Sequence, residues 1–69
     1  MSHTIDMDSL KNTARELNTV MGLEPPIKTD QVDREYLIDK LLEASKLLMP
    51  DDELSEATEK VLEYISEQS

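Results

Sequence analysis

The segment from Tyr36 to Met49, YLIDKLLEASKLLM, has the densest apolar pattern in the chain. At about 100° per residue on an α-helix, seven of its apolar residues fall within one arc of roughly 160°. These residues are Leu37, Ile38, Leu41, Leu42, Ala44, Leu48 and Met49. A helix that packs on a single surface usually shows an apolar stripe of about 100°. The wider arc therefore predicts a central helix that is contacted from two sides.

An amphipathic first helix is predicted over residues 7–21, with a residue-type signal at each end. Asp6 is a candidate N-cap, since Ile5 and Leu10 have the spacing of a hydrophobic staple around it. Gly22, the only glycine, suits the left-handed conformation that ends many helices. The residues that we expect on the inner face are Leu10, Thr13, Ala14, Leu17, Val20 and Met21.

An extended link is predicted between the first two helices, over residues 22–33. Pro25 and Pro26 lack amide donors and hold the backbone near polyproline II geometry. Ile27 and Val32 are apolar residues of the link, and we expect both to turn inward. A link of this length exceeds the roughly 2–8 residues usual between the helices of a bundle.

The second helix is predicted over residues 34–49. Asp33 is its candidate N-cap, with Asp30 as the alternative. Pro50 disfavours helical geometry at the residue before it, which predicts the helix end. The third helix is predicted over about residues 52–66, with three candidate caps: Asp51, Asp52 and Ser55. Its expected inner face is Leu54, Ala57, Thr58, Val61, Leu62, Tyr64 and Ile65. The fold class predicted is all-α, a single small domain of three helices with a Pro-containing link.

The composition limits the functions that are open to this chain. Sixteen acidic and seven basic residues give it a net charge of −9, which opposes nonspecific binding to nucleic acids and anionic membranes. Cysteine is absent, so neither disulfides nor thiolate metal sites form. No apolar run approaches the ~18 residues of a membrane span, and MSHTIDMD lacks signal-peptide features. These properties predict a cytoplasmic protein.

Candidate catalytic and metal-binding groups are few. His3 is the single histidine, and no glycine-rich phosphate loop or paired nucleophile and base is present. A calcium-binding EF-hand loop that began at Asp51 would place Glu56 where glycine is required. It would also place Leu62 where the bidentate glutamate is required. The sequence predicts no enzyme, no cofactor and no metal site.

The third helix carries a predicted acidic face of four glutamates at helical spacing: Glu56, Glu59, Glu63 and Glu67. Three interpretations are open. The face is a solvated surface that keeps the protein soluble, it docks a basic protein partner, or it imitates the phosphate array of a nucleic acid.

A second stripe on the central helix, Tyr36, Lys40, Glu43 and Leu47, lies outside the main apolar arc. We expect Tyr36 and Leu47 to be exposed in a compact monomer. Isolated exposed apolar residues are common. The alternative is a partner surface, because an exposed tyrosine and leucine beside charges form a plausible small interface. In a homodimer this stripe would meet its own copy.

The order of elements over residues 8–46 resembles helix–extended-loop–helix modules such as the SAP domain and the N-terminal domain of the terminator Rho. The resemblance rests on LKNTARELNTVMGL, with Leu10, Leu17 and Leu23, followed by DREYLIDKLLEA, with its Arg34-Glu35-Tyr36-Leu37-Ile38 start. It implies nucleic-acid binding through basic residues of the loop and the second helix. Those residues would be Lys28 and Arg34, with Lys40. The loop departs from the pattern, since Lys28 is its single lysine, it contains two prolines, and acids surround the bases.

The sequence as a whole predicts a small acidic helical module for protein–protein interaction or an accessory role, without catalysis. An unknown protein partner, possible homodimerisation and no membrane contact are expected. The alternatives are a nucleic-acid-binding module of helix–extended-loop–helix type and an acidic mimic that occupies a nucleic-acid-binding partner.

Overall fold

The computed structural model describes residues 5–68 of the chain. Its helices are α1 (Met7–Met21), α2 (Arg34–Ser45) and α3 (Glu56–Gln68), and the described residues include no strand. Each helix contacts both of the others. The radius of gyration, 11.2 Å, is close to the ~11 Å typical of a folded chain of this length. The predicted all-α, three-helix class is confirmed.

Local sequence signals set both ends of α1, and its bounds are those predicted. The Asp6 backbone is extended (φ −79°, ψ 168°), and its carboxylate accepts a hydrogen bond from the Ser9 amide at 2.9 Å. Gly22 has φ 60° and ψ 45°, a left-handed geometry that costs glycine nothing. The N-cap and the C-terminal glycine predicted for this helix are both confirmed.

The second helix ends at Ser45, four residues before the predicted end at Met49. The amides of residues 46–48 donate to carbonyls three residues before them, which tightens the chain out of α geometry. Pro50 then lies inside a turn, in which the Met49 amide donates to Asp52 Oδ2 and the Asp52 amide donates to the Met49 carbonyl, both at 3.0 Å. Because this turn carries Met49 away from the helix axis, its side chain is 64% exposed. Its predicted place in the core is wrong.

The third helix begins four residues later than the predicted start at residue 52 and runs two residues beyond the predicted end. Ser55 is the cap that the structure uses, since its Oγ accepts the Thr58 amide at 3.3 Å and its carbonyl accepts the Glu59 amide at 3.0 Å. Asp52 is engaged in the preceding turn instead.

The core draws on all three helices and the link. Each helix contacts two neighbours, so the two-sided packing predicted for α2 is confirmed, although α1 and α3 share that property. The buried apolar residues are Leu10, Ala14, Leu17, Ile27, Leu37, Leu41, Ala44, Val61, Leu62 and Ile65. Val20 and Ala57, predicted to face inward, are exposed because each lies in a terminal turn that the neighbouring helices do not cover.

The link is held against α1 by one asparagine. The Asn18 side chain donates from Nδ2 to the Ile27 carbonyl at 3.0 Å and accepts the Ile27 amide at 2.8 Å. The Ile27 side chain is buried, as predicted, and Val32 is half-buried against the core. Asp33 caps α2, since its carboxylate accepts the Tyr36 amide at 2.8 Å. These bonds fix the path of the link beside α2.

Candidate functional site

One flank of α2 forms a groove with the link. This link groove has a volume of about 230 Å³ and is lined by Leu23, Glu24, Pro25, Ile27, Lys40, Glu43, Ala44 and Leu47. Three of the four residues of the predicted stripe, Lys40, Glu43 and Leu47, therefore line a concave surface. The opposite wall is formed by the link. The helical spacing of the stripe does not predict where the link lies.

Leu47 is the large apolar residue of this groove that is exposed to solvent. Its side chain is 66% exposed, as predicted from the stripe. Leu23 is half-buried and Ile27 is buried, so they present a firm apolar surface beside it. An exposed leucine next to a preformed apolar wall is the arrangement in which a partner side chain gains most from excluding water.

Tyr36, the fourth residue of the stripe, is half-buried and packs against the core. The prediction that Tyr36 is exposed is wrong because the link runs alongside it: its hydroxyl accepts the Lys28 amide at 3.3 Å. Lys40 Nζ lies 5.8 Å from the Tyr36 ring centroid and 3.6 Å from Glu43 Oε2. The stripe is thus joined by contacts among its own members, and Lys40 has two partners at the groove edge.

The other flank of α2 forms a second concave surface, which sequence reasoning missed. This acidic cleft has a volume of about 560 Å³ and opens to solvent; its lining is Asp33, Glu35, Tyr36, Ile38, Asp39 and Leu42. Three of these residues are carboxylates and none is basic. The cleft could have been found from the helical spacing of α2, since Glu35 and Asp39 are four residues apart, as are Ile38 and Leu42, and residues at this spacing are neighbours on the helix surface.

The predicted acidic face of α3 lies in solvent. Glu56, Glu59, Glu63 and Glu67 are all exposed. Glu56 Oε1 lies 3.6 Å from Lys60 Nζ, and both side chains are largely exposed. Ion pairs of this kind contribute little to stability. The exposure agrees with each of the three interpretations, and the choice between them stays with experiment.

The three bases implied by the helix–extended-loop–helix resemblance have different surroundings. Lys28 is exposed on the link, and Arg34 is half-buried at the start of α2. The pKa of Asp6 is lowered, chiefly by the hydrogen bond from the Ser9 amide and further by the positive charge of Arg34. Lys40 is paired with Glu43. Two of the three bases are therefore offset by nearby carboxylates.

A carboxylate on α1 holds the start of α3. Glu16 Oε2 accepts the Ser55 amide at 2.6 Å, and Glu16 Oε1 accepts the Ser55 hydroxyl at 2.9 Å. The pKa of Glu16 is lowered, mainly by the Ser55 amide, with help from the Ser55 and Thr58 hydroxyls and against a smaller opposing effect of burial. No local signal marks Glu16, because its partner is 39 residues away.

Residues 5–68 hold no group of three or more His, Cys, Asp or Glu side chains placed to bind a metal ion. Over the same range, no helix combines the length and apolar character that crossing a membrane requires. His3, weighed above as a catalytic candidate, lies outside the described residues.

No protein-family model, curated protein or solved structure matches this chain. The resemblance to SAP-like and Rho N-terminal modules stays a prediction from the sequence.

Proposed function

We propose that this protein is a cytoplasmic, non-catalytic protein–protein interaction or accessory module that binds its partner through the link groove. The observation that carries the proposal is Leu47, which is 66% exposed at the edge of a groove of about 230 Å³. Full burial of a leucine side chain contributes about 1.5–3 kcal/mol. Most of that gain is still available at Leu47.

The groove is suited to act as the centre of a contact rather than as the whole of it. A stable interface covers about 800 Å² on each partner, more than one small groove supplies. Lys40 and Glu43 form a polar rim beside the apolar wall, which is the usual arrangement of interface centre and edge. Asn18 fixes the link wall through Ile27, so little ordering cost remains for binding.

The closest test compares two exposed side chains in the connection between α2 and α3. Leu47 lines the groove, whereas Met49 is 64% exposed and is not part of the groove lining. Tagged wild type, Leu47→Asp and Met49→Asp would be used to capture proteins from the native host. We expect a partner that wild type and Met49→Asp retain and Leu47→Asp loses.

Capture that is unchanged by Leu47→Asp would contradict the proposal, and so would equal loss in both variants. Light scattering after size-exclusion chromatography tests whether the partner is a second copy of this chain. In that case the molar mass of the wild type is that of a dimer, and Leu47→Asp reduces it to that of a monomer. Circular dichroism of both variants controls for folding, which we expect to be native because both side chains are exposed.

A titration with DNA and RNA at low ionic strength separates this proposal from nucleic-acid binding. The nucleic-acid alternative requires binding that weakens on Lys28→Ala or Arg34→Ala substitution, with a steep salt dependence. Nucleic-acid binding that depends on Lys28 or Arg34 and is unaffected by Leu47→Asp would favour the nucleic-acid alternative over partner binding at the link groove.

A further inference from the structure

The acidic cleft lies on α2 beside its inner face and is distinct from the link groove. The two linings share no residue. The volume of about 560 Å³ is within the ~300–1,000 Å³ range of ligand-binding pockets. Ile38 and Leu42 are half-buried, with their inner parts packed on the core. Their outer parts, with Tyr36, give the cleft an apolar surface.

The charge of the cleft is one-sided. Asp33, Glu35 and Asp39 contribute three carboxylates and are all exposed, and no lysine or arginine is part of the lining. One Asp33 oxygen is used by the Tyr36 amide. Lys40, the base next to Asp39 in sequence, is paired with Glu43 at the link groove instead. Glu35 and Asp39 take part in neither ion pair of the described residues, and Arg34, which lies between Asp33 and Glu35 in sequence, is not part of the lining.

This pattern selects among possible occupants. Nucleic acids and anionic membranes are repelled by three carboxylates. A second copy of this chain carries a net charge of −9 and meets the same repulsion. A simple polyamine would satisfy the charge but would leave Ile38 and Leu42 in water. A peptide with both basic and apolar side chains satisfies both parts of the surface.

We infer that the acidic cleft binds a short basic segment of a protein partner, whose arginine or lysine side chains contact Glu35 and Asp39. An apolar side chain of the same segment covers Ile38 and Leu42. This binding is separate from the proposed function of the link groove, and either one stands if the other fails.

The test uses the full chain and a short fluorescent peptide of arginine, leucine and serine. Two matched peptides replace its arginines with glutamate or its leucines with serine, and spermine serves as a purely cationic competitor. Fluorescence anisotropy at physiological salt, where exposed charges beyond about 8 Å are screened, gives the affinities. The cleft variant is Glu35→Gln with Asp39→Asn. The matched control is Glu59→Gln with Glu63→Gln, which removes the same charge from the exposed face of α3.

We expect the arginine–leucine peptide to bind, and the cleft variant to weaken it by about tenfold because two charged contacts are lost. The control variant should weaken it less than about twofold, because Glu59 and Glu63 are exposed and are not part of the cleft lining. Replacing the leucines with serine should weaken binding several-fold, because the apolar contact with Ile38 and Leu42 is lost. Amide chemical shifts of the wild-type chain should change most over residues 33–42.

Three results would overturn the inference. The first is no binding of the arginine–leucine peptide. The second is equal weakening by the cleft and control variants, which would show nonspecific attraction to an acidic chain. The third is spermine binding as tight as that of the peptide, which would remove the role of Ile38 and Leu42. A shifted thermal melt of the cleft variant would show that its fold has changed, and the site is then located by the amide chemical shifts of the wild-type chain. Peptide-induced changes centred outside residues 33–42 would also overturn the inference.

Discussion

Replacing Glu16 with glutamine is expected to loosen the start of α3, because Glu16 is the group on α1 that binds it. The carboxylate accepts both the amide and the hydroxyl of Ser55, at 2.6 and 2.9 Å. Ser55 in turn caps α3 through the Thr58 amide. Glutamine keeps one acceptor oxygen for the Ser55 amide and presents an NH2 group to the Ser55 hydroxyl, so the charge-assisted bonds become neutral ones and the negative charge near the helix N-terminus is lost.

The size of the effect follows from the number and kind of bonds. A hydrogen bond to a charged group contributes about 1.5–3 kcal/mol when it is protected from water. The bonds of Glu16 are exposed, which places the expected loss for Glu16→Gln at about 1 kcal/mol. Glu16→Ala removes both bonds and should lose about 1–2 kcal/mol. For a domain of this size, 1 kcal/mol corresponds to roughly 4–8 °C in Tm.

The loss should depend on pH in a defined direction. The pKa of Glu16 in the folded protein is lowered from its ordinary value of 4.5. A carboxylate with a lowered pKa stabilises the fold above its unfolded value, and that contribution disappears as the pH falls through the folded pKa. The difference in unfolding free energy between wild type and Glu16→Gln should therefore be constant near neutral pH and shrink below pH 4.5.

Urea unfolding followed by circular dichroism, at several pH values from neutral to acidic, measures this difference. Glu63→Gln is the control, because Glu63 is exposed on α3 and the substitution makes the same change in charge. It should leave the free energy of unfolding within about 0.5 kcal/mol of wild type. A Glu16→Gln difference that stays the same across the pH range, or that equals the Glu63→Gln difference, would refute the reasoning.

Three further substitutions test the core, the link and one backbone position. Leu41→Ala empties a site that is 0% exposed and should cost about 2–5 kcal/mol, enough to unfold so small a domain; an unshifted thermal melt would contradict this. Asn18→Ala removes both bonds to Ile27 and should cost about 1–3 kcal/mol by urea unfolding, whereas Asn12→Ala, on an exposed position of α1, should cost less. Gln31 has φ 54°, a left-handed conformation that glycine adopts without strain and valine does not, so Gln31→Gly should change the free energy of unfolding by less than ~1 kcal/mol and Gln31→Val should lower it by about 1–2 kcal/mol. A valine variant more stable than the glycine variant would show that the backbone there is not left-handed.

The parts of this fold that could be predicted from the sequence are those set by neighbouring residues. Asp6 and Gly22 bracket α1 within their own few positions, and the structure has both bounds as predicted. The apolar spacing of α2 likewise placed Leu37 and Leu41 in the core. Local capping and helical period need no knowledge of distant residues, so they can be read before the fold is known.

The rest depended on contacts between distant residues. Three caps were available for α3, and Ser55 is the one bound by Glu16, which lies on another helix. Tyr36 looked exposed on the helix alone, but the link covers it through the Lys28 amide. The acidic cleft was missed for a related reason: nothing in the spacing of Glu35 and Asp39 shows how much of Ile38 and Leu42 stays open.

Both flanks of α2 form concave surfaces, the acidic cleft on one and the link groove on the other. Its 12 residues contact both α1 and α3. The link covers only part of α2, and it contacts Tyr36 through the Lys28 amide. Tyr36 therefore divides the two surfaces: its ring lines the acidic cleft, while Lys40, which lies above that ring, lines the link groove. The link groove has Lys40 beside its carboxylates Glu24 and Glu43, whereas the lining of the acidic cleft has three carboxylates and no base. The same helix thus presents two surfaces of different chemistry, and a substitution confined to one leaves the charge of the other unchanged.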